Sequence, residues 1–212
     1  MPDIRDPHAH QPAVTRGPKP ADARLTMIVV HGRGGSAEDI LALADRLEPR
    51  DIAYVAPQAA GRTWYPYPFL APIAQNEPFV TSALGVLSRL VEGLSNDGVA
   101  SRHVGFLGFS QGACLVLEYA ARHPARYAAV FGLSGALIGP PGTRRDYPGS
   151  FDDTPIFLGC SDVDPHIPLE RVTESAEVFR RMHANVDERI YAGMPHTVNE
   201  EEIDAMNSLL RA

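Results

Sequence analysis

Ser110 lies at the centre of a Gly-x-Ser-x-Gly pentapeptide, Gly108-Phe109-Ser110-Gln111-Gly112, between an apolar run and a helix-compatible stretch. A strand that turns sharply into a helix at a serine lifts the hydroxyl above the edge of a sheet, where a substrate can reach it. Side chains at positions 108 and 112 would collide across so tight a turn, and glycine avoids the collision. The pattern predicts a nucleophilic serine, provided that the chain also supplies a base and an acid.

His196 is the candidate base. A serine hydroxyl needs an imidazole to accept its proton and a carboxylate to orient that imidazole, and in such folds the order along the chain is serine, acid, histidine. His196 falls between the last predicted strand and the last predicted helix. The other histidines after the serine lie near helix ends or directly beside the acid candidates; they are His123, His166 and His183.

The acid must come from the loop 161–168, which follows a buried strand and holds Asp162 and Asp164. Both carboxylates qualify by position. We favour Asp164 because a residue before proline is held extended, which fixes its side chain in one direction. Asp162 is then expected to be a turn residue.

Two backbone amides are candidates for an oxyanion hole, which stabilises the charge that develops on a substrate carbonyl oxygen. Gln111 supplies one, since it follows the serine at a helix N-terminus. Arg33 is expected to supply the second, because glycines at 32, 34 and 35 let its backbone approach a ligand closely. We expect the Arg33 side chain to pair with Glu38 or Asp39 rather than to attract an acidic substrate.

The loop 57–69 is rich in aromatic residues and lies on the same predicted edge of the sheet. Trp64, Tyr65 and Phe69 are candidates for the wall of an apolar substrate pocket. The alternative, which the sequence leaves open, is that these side chains only pack the loop onto the domain.

The elements that must position these residues alternate between strand and helix. Apolar runs such as 25–31 are typical of strands covered on both faces, and Ser36 with Asp39 predicts a capping box for a helix that Pro49 ends. This alternation predicts an α/β fold with a mostly parallel sheet, helices on both faces, and ligands bound at the carboxyl ends of the strands. Further strands are expected at 52–56, 104–110, 127–133, 156–160 and 188–191, and helices at 77–95, 111–123, 169–183 and from about 199.

Length, composition and charge favour one globular domain. With 212 residues, 44% of them hydrophobic, we expect a domain over 25–212 and a loose N-terminal arm over 1–24 with room for one or two short edge strands. The net charge of −7 argues against nucleic-acid and anionic-membrane partners. The sequence shows neither an apolar stretch of roughly 20 residues nor a signal-peptide pattern, so we expect a cytoplasmic protein without membrane insertion.

The cysteines and the early histidines give little sign of a further site. Cys114 and Cys160 fall in apolar segments and are expected to be buried, although a reactive thiol at Cys160 stays open because that residue precedes the acid loop. His8 and His10 form a His-x-His pair in a Pro-rich arm, which is more typical of a flexible terminus than of a metal site. No metal site is predicted.

Four motifs together resemble the phospholipase/carboxylesterase family, which includes acyl-protein thioesterases and small bacterial carboxylesterases. They are His31-Gly32-Arg33-Gly34, the pentapeptide around Ser110, Asp164-Pro165-His166-Ile167-Pro168 and Gly193-Met194-Pro195-His196. The resemblance implies a minimal α/β-hydrolase fold, Ser110, Asp164 and His196 as the catalytic triad, the amides of Arg33 and Gln111 as the oxyanion hole, and no cofactor. It leaves a homodimer open, since family members often dimerise.

The resemblance implies a serine carboxylesterase that hydrolyses small esters of short- to medium-chain acids through an acyl-enzyme. A (lyso)phospholipase or acyl thioesterase that uses the same triad is an alternative, and a non-catalytic ligand receptor on the same fold is another. Larger hydrolases of this fold insert a lid where this chain has only the Gly- and Pro-rich segment 135–153. We therefore expect no lid domain and an open site.

Overall fold

The computed structural model describes residues 6–48 and 50–211. Seven strands form one sheet: β1 (Ala13–Arg16), β2 (Leu25–Val30), β3 (Ile52–Pro57), β4 (Val104–Phe109), β5 (Val130–Leu133), β6 (Pro155–Ser161) and β7 (Asn185–Tyr191). Their order is β1-β3-β2-β4-β5-β6-β7. Only β1 runs antiparallel to its neighbour, and the other pairs are parallel. The predicted, mostly parallel α/β sheet is confirmed.

Five helices cover the two faces of this sheet. They are α1 (Ala37–Ala44), α2 (Phe79–Asn96), α3 (Gln111–Arg122), α4 (Leu169–Arg181) and α5 (Glu200–Arg211). Side chains of α1 and α5 share one core cluster, and those of α2, α3 and α4 share the other. Strand β2 serves both, because alternate side chains point to opposite faces: Met27 and Val29 lie in the first cluster, Ile28 and Val30 in the second. This explains why its sequence is a continuous apolar run.

The edges of several elements differ from the prediction. Strand β7 begins at Asn185 rather than at residue 188, because charged residues of this edge strand hide its alternation while it pairs with β6 over its whole length. Strand β5 begins at Val130 rather than at residue 127, since the Tyr127 amide donates to the Thr154 hydroxyl at 2.9 Å instead of to a neighbouring strand. Helix α1 ends at Ala44. Pro49, the predicted end, lies outside the described residues.

The segment 135–153 contains no helix or strand, and no separate lid covers the site in the described part of the chain. Its first part is held by buried charges. The Glu118 carboxylate, whose side chain is 1% exposed, accepts from the Ile138 amide at 3.1 Å and faces the Arg145 guanidinium at 3.6 Å. Arg145 in turn donates to the Ile138 carbonyl at 2.7 Å. Glu118 of α3 and Arg145 of the segment itself hold it in place. The segment is therefore part of the wall of the domain rather than a lid.

The N-terminal arm supplies one of the short edge strands for which the sequence left room, but residues 6–16 are not loose. Strand β1 joins the edge of the sheet, and an ion pair at 3.2 Å ties Asp6 to Arg89 on α2. His8, expected in a flexible terminus, is only 1% exposed. The burial of His8 was not predictable because the partners of the arm come from distant parts of the chain. Residues 1–5 of the arm lie outside the described residues.

Candidate active site

Ser110 occupies the turn between β4 and α3 in a strained conformation, with φ 56° and ψ −120°. The flanking glycines are required by close approach. A Cβ at Gly108 would lie 2.4 Å from the Gly112 carbonyl oxygen, and one at Gly112 would lie 2.1 Å from the Val30 carbonyl oxygen. The steric argument for the two glycines is therefore confirmed, and the turn holds the serine side chain at the carboxyl edge of the sheet.

His196 lies between Ser110 and Asp164. Its Nε2 is 2.9 Å from the Ser110 hydroxyl oxygen, and its Nδ1 is 2.6 Å from an oxygen of Asp164. Because the carboxylate accepts, Nδ1 carries the ring proton and Nε2 faces the hydroxyl as an acceptor. The structure thus brings together three residues separated by up to 86 positions in the chain. An imidazole in this arrangement can take the serine proton.

The Asp164 carboxylate is held from both of its oxygens. The second oxygen accepts from the amides of His166 at 2.8 Å and Ile167 at 3.0 Å. Burial favours the neutral acid, but the hydrogen bonds from His196 and from these amides outweigh it and lower the pKa of Asp164. Asp162, the alternative acid, instead accepts from the Gly193 amide at 2.7 Å, as expected of a turn residue.

The backbone amides of Arg33 and Gln111 are candidates for the oxyanion hole. Within residues 6–48 and 50–211, neither backbone N–H donates a hydrogen bond to another group of the chain. Both residues border the same cavity as Ser110. Two unpartnered donors beside a serine hydroxyl can bind an oxyanion.

A cavity of about 580 Å³ opens beside Ser110. Its lining is mostly apolar or aromatic and includes Tyr65 and Phe69, as expected of a substrate pocket. Trp64 is not among the lining residues, and its side chain is fully buried, so for this residue the packing alternative applies. The other lining residues are Gly32, Arg33, Pro66, Pro68, Phe109, Ser110, Gln111, Cys114, His166, Ile167 and His196.

Comparison with known proteins decides the family. The sequence profile described as Phospholipase/Carboxylesterase matches residues 10–212. The chain belongs to the phospholipase/carboxylesterase family. The resemblance drawn from the four motifs is thereby confirmed, and this family member is a serine hydrolase with an α/β-hydrolase fold.

Relatives of this family member agree with the assignment. The crystal structure of a phospholipase/carboxylesterase from Dyadobacter fermentans superposes with a TM-score of 0.92 at 38% identity, over 95% of this chain and 97% of the other. Acyl-protein thioesterase 1 of Kluyveromyces lactis is 26% identical over 93% of this chain and 96% of its own length. A carboxylesterase from Mesorhizobium loti shares the fold, with a TM-score of 0.68 at 19% identity over 91% of this chain and 92% of the other.

The Arg33 side chain corrects one expectation. It pairs with neither Glu38 nor Asp39. Its guanidinium instead donates to three successive backbone carbonyls of the aromatic loop, those of Tyr65 at 2.9 Å, Pro66 at 3.0 Å and Tyr67 at 3.1 Å. Backbone carbonyls carry no signal in the sequence, so this contact was not predictable. It fastens the loop 31–35, which carries a candidate amide for the oxyanion hole (the oxyanion loop), to the aromatic loop 57–69.

The Gln111 side chain makes a second connection to the aromatic loop that the sequence analysis missed. Its amide oxygen accepts from the Trp64 amide at 2.9 Å, and its NH₂ group donates to the Tyr65 carbonyl at 2.8 Å. Both hydrogen bonds are buried. Residue 111 therefore borders the cavity while its side chain holds the loop that forms part of the cavity wall.

Both cysteines are free and buried, as predicted. Burial raises the pKa of Cys114 to about 11 and that of Cys160 to about 12. Thiols with pKa values this high stay protonated near neutral pH and are poor nucleophiles. The alternative of a reactive thiol at Cys160 is therefore not supported.

His166, which lies too close to the acid candidates in the chain to be the base, borders the site in another way. Its ring meets the His196 ring edge-on, with centroids 4.9 Å apart, while the Phe109 ring lies 5.0 Å from His196 on a tilted plane. One feature of the sequence does indicate this contact. His166 belongs to the loop 161–168, and the loop that supplies the acid must lie beside the base. Among the described residues, no cluster of metal-ligating side chains is found, and no helix is long and apolar enough to cross a membrane.

Proposed function

We propose that this family member is a serine carboxylesterase that hydrolyses small esters of short- to medium-chain acids through an acyl-enzyme on Ser110. The observation that carries the proposal is the continuous hydrogen-bonded line from Asp164 through His196 to Ser110, with distances of 2.6 and 2.9 Å, beside two backbone amides that have no acceptor among the described residues. This geometry supports nucleophilic attack on an acyl carbon.

In the proposed mechanism, the Ser110 oxygen attacks the ester carbonyl carbon while His196 Nε2 takes the hydroxyl proton. The negative charge moves to the carbonyl oxygen, where the amides of Arg33 and Gln111 stabilise it. His196 then gives the proton to the leaving alcohol, and the acyl group stays on Ser110. A water molecule, deprotonated by the same imidazole, attacks the acyl-enzyme and releases the acid and the free serine. Asp164 stabilises the imidazolium that forms in both steps.

The lining of the cavity favours a substrate whose acyl group is uncharged and of limited length. Among the described residues that line the cavity, Arg33 is the one arginine or lysine, and its guanidinium donates to the three loop carbonyls. Tyr65 and Cys114 are fully buried and border the cavity, and we propose that they end the acyl channel. Without a lid, the mouth is open to solvent, which suits small and soluble esters.

Thioester hydrolysis is the second candidate function. The relative from Kluyveromyces lactis is named acyl-protein thioesterase 1, and a thioester would react through the same serine and the same two amides. A (lyso)phospholipase would likewise use this triad. A cytoplasmic location and a homodimer stay predictions from the sequence.

A substrate panel tests this proposal. Wild-type protein and the Ser110→Ala variant are assayed on p-nitrophenyl esters from acetate to palmitate and on acyl-CoA thioesters of matched chain length. We expect the highest kcat/KM between butyrate and octanoate esters, and a loss of about 10⁵- to 10⁶-fold in kcat in Ser110→Ala. Full activity in Ser110→Ala would refute the mechanism. A clear preference for thioesters, or for palmitate, would replace the proposed substrate by one of the alternatives.

A further inference from the structure

His8 lies in the N-terminal arm, away from the catalytic residues, yet its side chain is buried. Its Nδ1 accepts from the Ala60 amide at 3.0 Å, and its Nε2 is 2.9 Å from the Trp64 carbonyl oxygen. Because the amide can only donate and the carbonyl can only accept, this ring is neutral and carries its proton on Nε2. The His8 amide donates to the Ser82 hydroxyl at 2.9 Å, and the ring packs against Trp64 with centroids 5.4 Å apart.

Trp64 connects this histidine to both parts of the proposed oxyanion hole. Its backbone amide donates to the Gln111 side chain, and its indole N–H donates to the His31 carbonyl, each at 2.9 Å. His31 directly precedes the glycine and Arg33 of the oxyanion loop. The carbonyls of the three residues after Trp64 accept hydrogen bonds from the Arg33 guanidinium. Both residues that carry the proposed oxyanion-hole amides are therefore fastened to one loop, and His8 holds the same loop at Ala60 and Trp64.

We propose that His8 is a positioning residue for the hydrolysis: its neutral imidazole holds the loop 60–67 and, through Trp64, sets the positions of the Arg33 and Gln111 amides. The inference rests on the proposed function of Ser110 and on the oxyanion hole assigned to these amides. His8 touches none of the reacting atoms. It acts on the rate because an amide displaced by a fraction of an ångström no longer points at the oxyanion.

The surroundings of His8 favour the neutral ring. Burial is the largest effect and lowers its pKa, the backbone carbonyl it contacts and the Asp6 carboxylate raise the pKa, and Arg89 lowers it. His31, whose pKa is itself lowered mainly by burial, packs against Trp64 as His8 does, with ring centroids 5.1 Å apart. A proton on Nδ1 would bring two donors face to face at Ala60, so the imidazolium cannot hold the loop in this position.

The test compares His8→Phe, which keeps a ring and removes both polar atoms, with His8→Gln, which restores a donor toward the Trp64 carbonyl. We expect kcat for p-nitrophenyl butyrate to fall about 10- to 100-fold in His8→Phe with little change in KM, because both amides still approach the substrate but point less well. His8→Gln should recover most of the loss. His10→Phe, the same change at an exposed position two residues along the arm, should leave kcat unchanged.

Several results would overturn this inference. One is an unchanged kcat in His8→Phe; another is a loss that is fully accounted for by a smaller folded fraction, measured by circular dichroism and by titration of active sites with a fluorophosphonate. A second measurement uses the wild type alone, in case His8→Phe does not fold. Long-range ¹H–¹⁵N spectra at about pH 6 should show His8 neutral with its proton on Nε2, whereas an imidazolium there would contradict the inference.

The same assays separate this inference from the proposed function. Unchanged kcat in His8→Phe beside an inactive Ser110→Ala would overturn the role of His8 alone. Activity that persists in Ser110→Ala would overturn the mechanism at Ser110, and the role of His8 with it.

Discussion

At the scale of the residue, the proposed chemistry requires Asp164 as a carboxylate and His196 with its proton on Nδ1. Their hydrogen-bond partners select these states. Asp164 receives the His196 ring N–H and two backbone amides, so it stays a carboxylate that can only accept. This acceptor fixes the proton of His196 on Nδ1 and leaves Nε2 available to the Ser110 hydroxyl. The chemistry assigned to the serine thus follows from a carboxylate that the structure buries and fully partners.

The Asp164→Asn variant tests this chain of acceptors. An amide at this position can present its NH₂ group to His196 and stabilise the wrong tautomer, so we expect kcat to fall about 10⁴-fold with little loss of fold. Asp162→Asn is the matched control, since among the described residues the Asp162 carboxylate accepts one hydrogen bond, from the Gly193 amide, and an Asn oxygen can accept in its place. Ester hydrolysis by both variants is measured under one condition. Equal losses in the two variants would contradict the assignment of the acid.

At the scale of the element, helix α5 fixes the loop that carries His196. The Glu202 amide donates to the Asn199 side chain at 2.8 Å, and the Asn199 amide donates to the Glu202 carboxylate at 2.9 Å, which closes the start of the helix. The other carboxylate oxygen is buried without a hydrogen-bond partner in the described residues. Burial raises the pKa of Glu202 to about 7 despite the Asn199 hydrogen bond.

This raised pKa predicts a stability that depends on pH. The folded protein holds a proton on Glu202 that the unfolded chain, with the ordinary value of 4.5, has released, so folding is penalised progressively as pH rises from about 4.5 to about 7. Glu202→Gln should therefore raise the free energy of unfolding by about 2 to 3 kcal/mol at pH 8 and by much less at pH 5, as measured by urea denaturation. The exposed neighbour gives the control, Glu201→Gln. An equal gain at both pH values would show that Glu202 does not titrate in this range.

At the scale of the whole molecule, the sequence predicts most of what depends on periodicity and chain order. Continuous apolar strands predict a sheet covered on both faces, and the rule that ligands bind at the carboxyl ends of strands placed Ser110, Asp164 and His196 on one edge. The structure brings those three side chains into hydrogen-bond contact. Position in the chain left few candidates because each of these residues lies at or after the carboxyl end of a strand of the same sheet, and the proline after Asp164 decided between the two acids.

What the sequence could not predict depends on contacts with distant backbone groups. Three of these features involve loops whose paths are set only when the domain folds. They are the burial of His8, the three carbonyls that bind Arg33 and the inward packing of Trp64. The Pro-rich arm has no hydrophobic periodicity from which its contacts could be predicted. Every residue carries a backbone carbonyl, so the sequence does not show which carbonyls bind Arg33. The sequence therefore predicts the residues proposed to react, but it does not predict the residues that hold them in place.

Active-site labelling tests the central claim most directly. The wild-type protein is treated with a fluorophosphonate, and the modified residue is located by mass spectrometry of its peptides. A nucleophile activated by His196 and assisted by two amides should take up one equivalent of the reagent on Ser110, and His196→Ala should abolish the reaction. An unmodified wild-type protein, or an adduct on another serine with Ser110 intact, would contradict the account.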